Sequence, residues 1–253
     1  MLPAFTLIAE QVTVRHREGR IHGFLVIRDL NSKLLANGSL NQTSTGTRVN
    51  AELNFHFADG STQQETTVFL QRRTFQLATY RLIQKGPTFK RPLDMTANVS
   101  TGQVTVRYTD DDGKEKTISD RMKLPPDLAN GMVTTLLSDI DPKTPKTTLS
   151  MLVATPKPRL VKLEISPAGD DSFSVAGAPM KAQRYLVHVD IGGLSGVIAP
   201  LIGKQPPDTQ IWMVGGKAPG FLKSEGPMSQ DGPMWRIELA SPVWPKAAPS
   251  TKQ

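Results

Sequence analysis

The stretch Arg48–Phe57, RVNAELNFHF, decides the fold. Val49, Ala51, Leu53, Phe55 and Phe57 alternate with Arg48, Asn50, Glu52, Asn54 and His56. A period of two marks a strand with one buried and one wet face, because successive side chains leave a strand on opposite sides. Ala58-Asp59-Gly60 follows, and Asp-Gly is a strong hairpin signal because it tolerates positive φ. The return strand is expected from near Thr66, with Val68 and Leu70 on one face, and β character continues to about Ile83.

The same period extends outward in both directions. Ile21–Arg28 and Leu34–Gln42 form an antiparallel pair joined near Asn31-Ser32, which makes a meander. Val104, Val106 and Tyr108 share a face, and Asp110-Asp111-Asp112-Gly113 turns the chain into Glu115–Ile118. Further on, Val161, Leu163 and Ile165 share a face, as do Tyr185, Val187, Val189 and Ile191, and then Trp235, Ile237 and Leu239.

Pro125–Ile140 breaks the pattern. Leu128, Met132, Val133, Leu136, Leu137 and Ile140 fall at helical spacing, with Asp127 as the cap and Pro142 as the stop. Gly131 inside that span costs about 1 kcal/mol relative to alanine. Asp141–Thr148 is a short polar connection, so residues 1–253 are expected to form a single domain. Roughly ten strands around one helix predict an all-β-dominated fold. Its form is a large curved antiparallel sheet, a half-barrel, with the main helix near 126–140 and a short helix near 196–203.

Composition narrows the chemistry. The chain has no cysteine, which removes disulfides, thiolate catalysis and cysteine zinc sites. The net charge of +7 is spread thinly, with 17 basic and 12 acidic residues up to Leu124 and 13 and 11 after it. The densest basic group is Arg15, Arg17 and Arg20, without the interleaved aromatics of a nucleic-acid surface, so no nucleic-acid partner is expected. A weak positive bias is compatible with a peripheral position on an anionic membrane surface. No window approaches the ~20 apolar residues of a transmembrane helix. Met1–Glu10 has no basic leader region and no clear A-x-A site, and reads as a first strand or a signal remnant.

The most apolar, glycine-punctuated stretch is Gly192–Pro207, GGLSGVIAPLIGKQPP. Gly203-Lys204 ends like a phosphate loop, but Ile198 stands where the upstream glycine is needed and Gln205 replaces Ser or Thr. Gly193-Leu194-Ser195-Gly196 is one residue short of a nucleophile elbow. Leu194, Val197, Ile198, Leu201 and Ile202 match a helical template. The segment is therefore a short helix plugging the open sheet, or an apolar lip over a ligand cavity. In the second case Val197, Ile198, Leu201 and Ile202 would hold an apolar body, with Lys204, Asp208 and Trp212 meeting a polar head group.

Metal and catalytic signals are sparse. Asp110–Asp112 lacks the alternating ligands and terminal glutamate of a calcium loop. His16, His22, His56 and His188 contain no HExxH and no i, i+4 pair, so no metal site is expected, nor any cofactor. His188 and Asp190 share a strand face and are the candidate acid–base pair of a hydrolase.

Five segments resemble an uncharacterised bacterial envelope-protein family: Arg81–Met95, Lys123–Met132, Pro156–Ile165, Ala199–Trp212 and Gly232–Pro245. At fold level that group is similar to the lipoprotein carriers LolA and LolB, in which a curved antiparallel sheet embraces helices. The resemblance implies a periplasmic location and an apolar ligand, a lipid or a lipoprotein acyl chain. It transfers no catalytic residue. The expected function is non-catalytic binding or carriage of an apolar or amphiphilic ligand in the cell envelope. The alternatives are the His188/Asp190 hydrolase and a structural or assembly role.

Overall fold

The structure is a computed structural model and describes residues 11–110, 112–154, 157–175, 178–191, 205–216, 219–229 and 231–240. The expected short helix near 196–203 lies outside them. The alternation of Arg48–Phe57 forms strand β3, preceded by β1 (Ile21–Asp29) and β2 (Leu34–Thr45). After it come β4 (Thr62–Gln71), β5 (Phe75–Lys85), β6 (Leu93–Asn98), β7 (Gln103–Thr109) and β8 (Glu115–Arg121). A helix, α1 (Val133–Asp139), separates these from β9 (Thr147–Ala154), β10 (Pro158–Val175) and β11 (Ala178–Asp190). The last three strands are β12 (Thr209–Val214), β13 (Gly220–Pro227) and β14 (Met234–Leu239).

All fourteen strands form one antiparallel sheet in the order β8-β7-β6-β5-β4-β3-β2-β1-β14-β13-β12-β11-β10-β9. Each half is a meander of sequential neighbours. The halves join where β1 meets β14, with Leu25 opposite Leu239 and Ile27 opposite Ile237. The described sheet does not close, and β8 and β9 are its two edges.

The sheet curves around α1. Buried side chains of β3 to β7 and of β9 to β12 share one cluster with Leu136 and Leu137 of the helix. Strands so far apart in the sheet order can share one cluster only if the sheet curves. A second cluster, Leu25, Ile27, Ala36, Phe55, Phe57, Phe89 and Trp235, fills the concave side near the β1–β14 seam.

Two local expectations change. The helix starts at Val133 rather than near 126, because Gly131 adopts φ +66°. A Cβ at Gly131 would stand 1.9 Å from Thr67 Oγ1, so only glycine lets the chain pass there. Asp127 does not cap the helix. The segment before Gly131 instead lies along the edge of β9: Ala129 N–H donates to Ser150 O at 2.8 Å, and Ser150 N–H to Asp127 O at 3.2 Å. Asn130 extends this pairing with its side chain, bonding both Leu152 N–H and Leu152 C=O at 2.8 Å. The edge is thereby covered, as an exposed strand edge must be if it is not to template aggregation.

The β4–β5 region also differs. The return strand begins at Thr62, and Gln71 to Phe75 breaks it into two strands. The unbroken β3–β4 register sets Phe69 opposite Val49 and Thr67 opposite Ala51, so Thr67 and Phe69 face the concave side rather than Val68 and Leu70. The one irregularity of the β4–β5 pair is an extra residue, Ala78, in β5. Across this turn runs the segment 11–18, with Val14 N–H donating to Arg73 O and Phe75 N–H to Val12 O. Buried Gln71 clamps Glu18 through its backbone, accepting from Glu18 N–H at 2.7 Å and donating to Glu18 O at 2.9 Å. Asp139 at the end of α1 accepts the N–H groups of Arg15 and His16. This polar seam closes the α1 end of the trough.

Candidate functional site

Register places one row of side chains across the concave face of the first half: Gly23, Leu40, Leu53, Glu65, Leu82, Met95, Val106 and Ile118, one from each of β1 to β8. Met95 and Val106 are buried against the α1 cluster. Gly23, Leu40, Leu53, Glu65 and Leu82 are only half-buried. No described atom lies within 4 Å of a Cβ built at Gly23, whereas at Gly38, one row away, the Phe55 ring occupies that space at 2.3 Å. Ile21 and Leu239, on the same face, are 39% and 47% exposed. Among the described residues the concave face is thus packed at both ends, with a half-buried apolar strip between them.

Glu65 is the one carboxylate in that row. Burial raises its pKa above the usual carboxylate range, and a hydrogen bond from Tyr80 pulls the other way. Tyr80 is buried, and its hydroxyl is pushed well above its ordinary pKa by burial and then by the charge of Glu65. Asn130, whose amide is fixed on the backbone of β9, acts on the Tyr80 hydroxyl in the opposite direction. Asn130, Tyr80 and Glu65 are thus neighbouring polar groups between the core and the apolar strip. Chemically, this presents a hydrogen-bonding carboxyl group, oriented by a neutral phenol, amid leucines. Beside it, Gln84 Nε2 donates to Gln63 Oε1 at 2.6 Å and to Met228 O at 2.9 Å, so those amides are satisfied within the protein.

The residues singled out from the sequence lie elsewhere. Val197, Ile198, Leu201, Ile202 and Lys204 lie outside the described residues. Asp208 and Trp212 are on the convex face, opposite to Ile211 and Met213, which join the concave cluster. Asp208 Oδ1 lies 2.7 Å from His188 Nδ1, both side chains being about 40% exposed. His188 is thus oriented by Asp208 from the next strand's approach, and Asp190 follows two residues along the same convex face. Trp212 is buried against that face. Its Nε1–H donates to Asp171 at 2.6 Å, and Lys223 Nζ sits 4.0 Å above the ring.

One convex cluster has the composition of a serine–lysine site. Lys162 Nζ is 2.8 Å from Ser150 Oγ and 3.2 Å from Asp127 Oδ2. Ser150 is 1% exposed and its backbone is fully engaged by 127–129, so no substrate reaches its hydroxyl. The cluster is a latch that holds the covering segment on β9. Among the described residues no group of three or more metal-ligating side chains converges, and no helix is long and apolar enough to cross a membrane.

No family model and no curated protein matches this chain. Among solved structures, the chain is similar to a β-barrel-like protein of a domain of unknown function, DUF1849, from Brucella abortus. The match has 10% identity and a TM-score of 0.44, and covers 88% of this chain and 98% of the other.

Proposed function

We propose that this protein binds an apolar or amphiphilic molecule along the concave strip of its sheet, without catalysis. The observation that carries the proposal is the half-buried row Gly23, Leu40, Leu53, Glu65 and Leu82 on a face otherwise packed at both ends. Burying such a strip under an acyl chain is favourable by about 25 cal/mol per Å² of apolar surface covered. Pockets of this kind pair apolar walls with a few placed polar groups, here Glu65 and Tyr80. A lipid or a lipoprotein acyl chain fits that description. A periplasmic location in the cell envelope is supported by the sequence resemblance, and cell fractionation tests it.

A polarity-sensitive naphthalene dye should bind the full chain and be displaced by a C16 fatty acid or a lysophospholipid. Leu53→Lys and Leu82→Lys should each weaken dye binding at least about tenfold, because each buries a charge in the strip. Glu52→Lys, on the wet face of β3, should leave it unchanged. Absence of dye binding, or equal loss in the Glu52 variant, refutes the proposal.

A further inference from the structure

Strand β8 is an edge of the sheet, and six of its seven residues are exposed. Its sequence is EKTISDR, Glu115 to Arg121. Two copies of this strand laid antiparallel about Ile118 set Glu115 opposite Arg121, Lys116 opposite Asp120, Thr117 opposite Ser119, and Ile118 opposite itself. Every charge then meets its opposite, and the central pair is apolar. Opposite charges directly across an antiparallel pair stabilise it, and like charges destabilise it. Slipping the register by one residue either way sets Glu115 against Asp120 or Lys116 against Arg121. The neighbouring registers are therefore disfavoured by the same residues that favour the central one.

We propose that β8 is a self-complementary edge at which two copies of this chain pair to form a two-fold dimer with one continuous sheet. The symmetry follows from the sequence of the strand, since a two-fold interface requires that residue i meet j and j meet i. Charged side chains normally protect an edge from indiscriminate pairing, and here their order restricts pairing to one partner and one register. The existing contacts of these side chains survive dimerisation. Lys116 gives one of its three ammonium donors to Asp110 at 2.6 Å, and Arg121 gives one of its five to Thr101 O at 2.9 Å. A seven-residue strand pair is a small interface, so the dimer is weak, concentration-dependent and loosened by salt.

The absence of cysteine makes a direct test available. Ile118→Cys faces its own copy across the axis, within the Cα separation that a disulfide spans. It should give a covalent dimer under mild oxidation. Lys116→Cys lies four residues from its own copy, roughly 13 Å along the strand, and should not cross-link to itself. A mixture of Lys116→Cys and Asp120→Cys chains should cross-link to each other. By sedimentation equilibrium, Asp120→Lys should weaken self-association at least about tenfold by setting Lys against Lys. Adding Lys116→Asp should restore it, with circular dichroism checking that each variant keeps its strands. Cross-linking no faster at position 118 than at 116, or a wild-type chain that stays monomeric to about 200 μM in low salt, overturns the proposal. Either result would leave the edge to a strand of a different protein.

Discussion

Replacing Lys162 with methionine should unlatch the segment that covers β9. The side chain of Asp127 is 0% exposed, its Oδ2 has Lys162 Nζ at 3.2 Å, and its Oδ1 has no partner among the described residues. Removing one member of a buried pair strands the other charge and costs about 3–5 kcal/mol. Lys162 is itself 21% exposed, so water partly screens the pair and the lower end applies, about 3 kcal/mol. For a chain of this size that is a fall in Tm of roughly 6–12 °C. Urea unfolding followed by circular dichroism measures the loss. Amide exchange at Ala129 and Ser150 locates it, since their N–H groups make the bonds that hold the segment to β9. Asp127→Asn on the Lys162→Met background removes the stranded charge and should recover more than half of the loss. A single variant within about 1 kcal/mol of wild type, or a double variant no more stable than the single, would refute the latch.

Other substitutions test other parts of the structure. Gly131→Ala combines a positive φ with a contact of 1.9 Å to Thr67 Oγ1, and should destabilise by about 2–4 kcal/mol in thermal unfolding. Thr67→Ala should relieve part of that loss and leave the backbone strain. The carboxyls of Glu18 and Asp139 have pKa values raised by burial, so their contribution is full below about pH 4 and is lost as pH rises through the raised value. Asp139→Asn should therefore gain stability on wild type at pH 8 and lose that gain at pH 4, by urea titration at both. Asp94 has the opposite sign: its hydrogen bonds from Arg81 lower its pKa, and its contribution is lost as pH falls through that lowered value. With Arg81 about half exposed, Asp94→Asn should cost no more than about 1 kcal/mol at pH 7, and less as the pH falls into the acid range.

The alternating strands were legible because one face of each packs against a core, as Val49, Phe55 and Phe57 do. The start of β4 was not, since its inward residues Gln63, Glu65 and Thr67 are polar and leave no apolar period. One of them, Glu65, belongs to the candidate site, so the pattern failed where the interior is specialised. Gly131 signalled that the helix was in difficulty, but its cause, Thr67, lies 64 residues earlier and appears only once the sheet has curved. Leu53 could be assigned to the buried face from sequence, whereas its neighbour Glu65 needed the register. Trp212 drew attention as an aromatic beside an apolar segment, yet its partners, Asp171 and Lys223, come from two other strands.

The β1–β14 seam has a kinetic consequence. Every other pairing in the sheet links strands adjacent in the chain, but here Arg28 meets Glu238 across 210 residues. Closing so long a loop costs roughly 3 kcal/mol more entropy than closing a ten-residue hairpin. Each meander can zip from its own turns without it, so the seam is the pairing that must wait. The slowest step of folding then falls in the middle of the finished sheet, where Leu25, Ile27 and Trp235 stay exposed until the two halves dock.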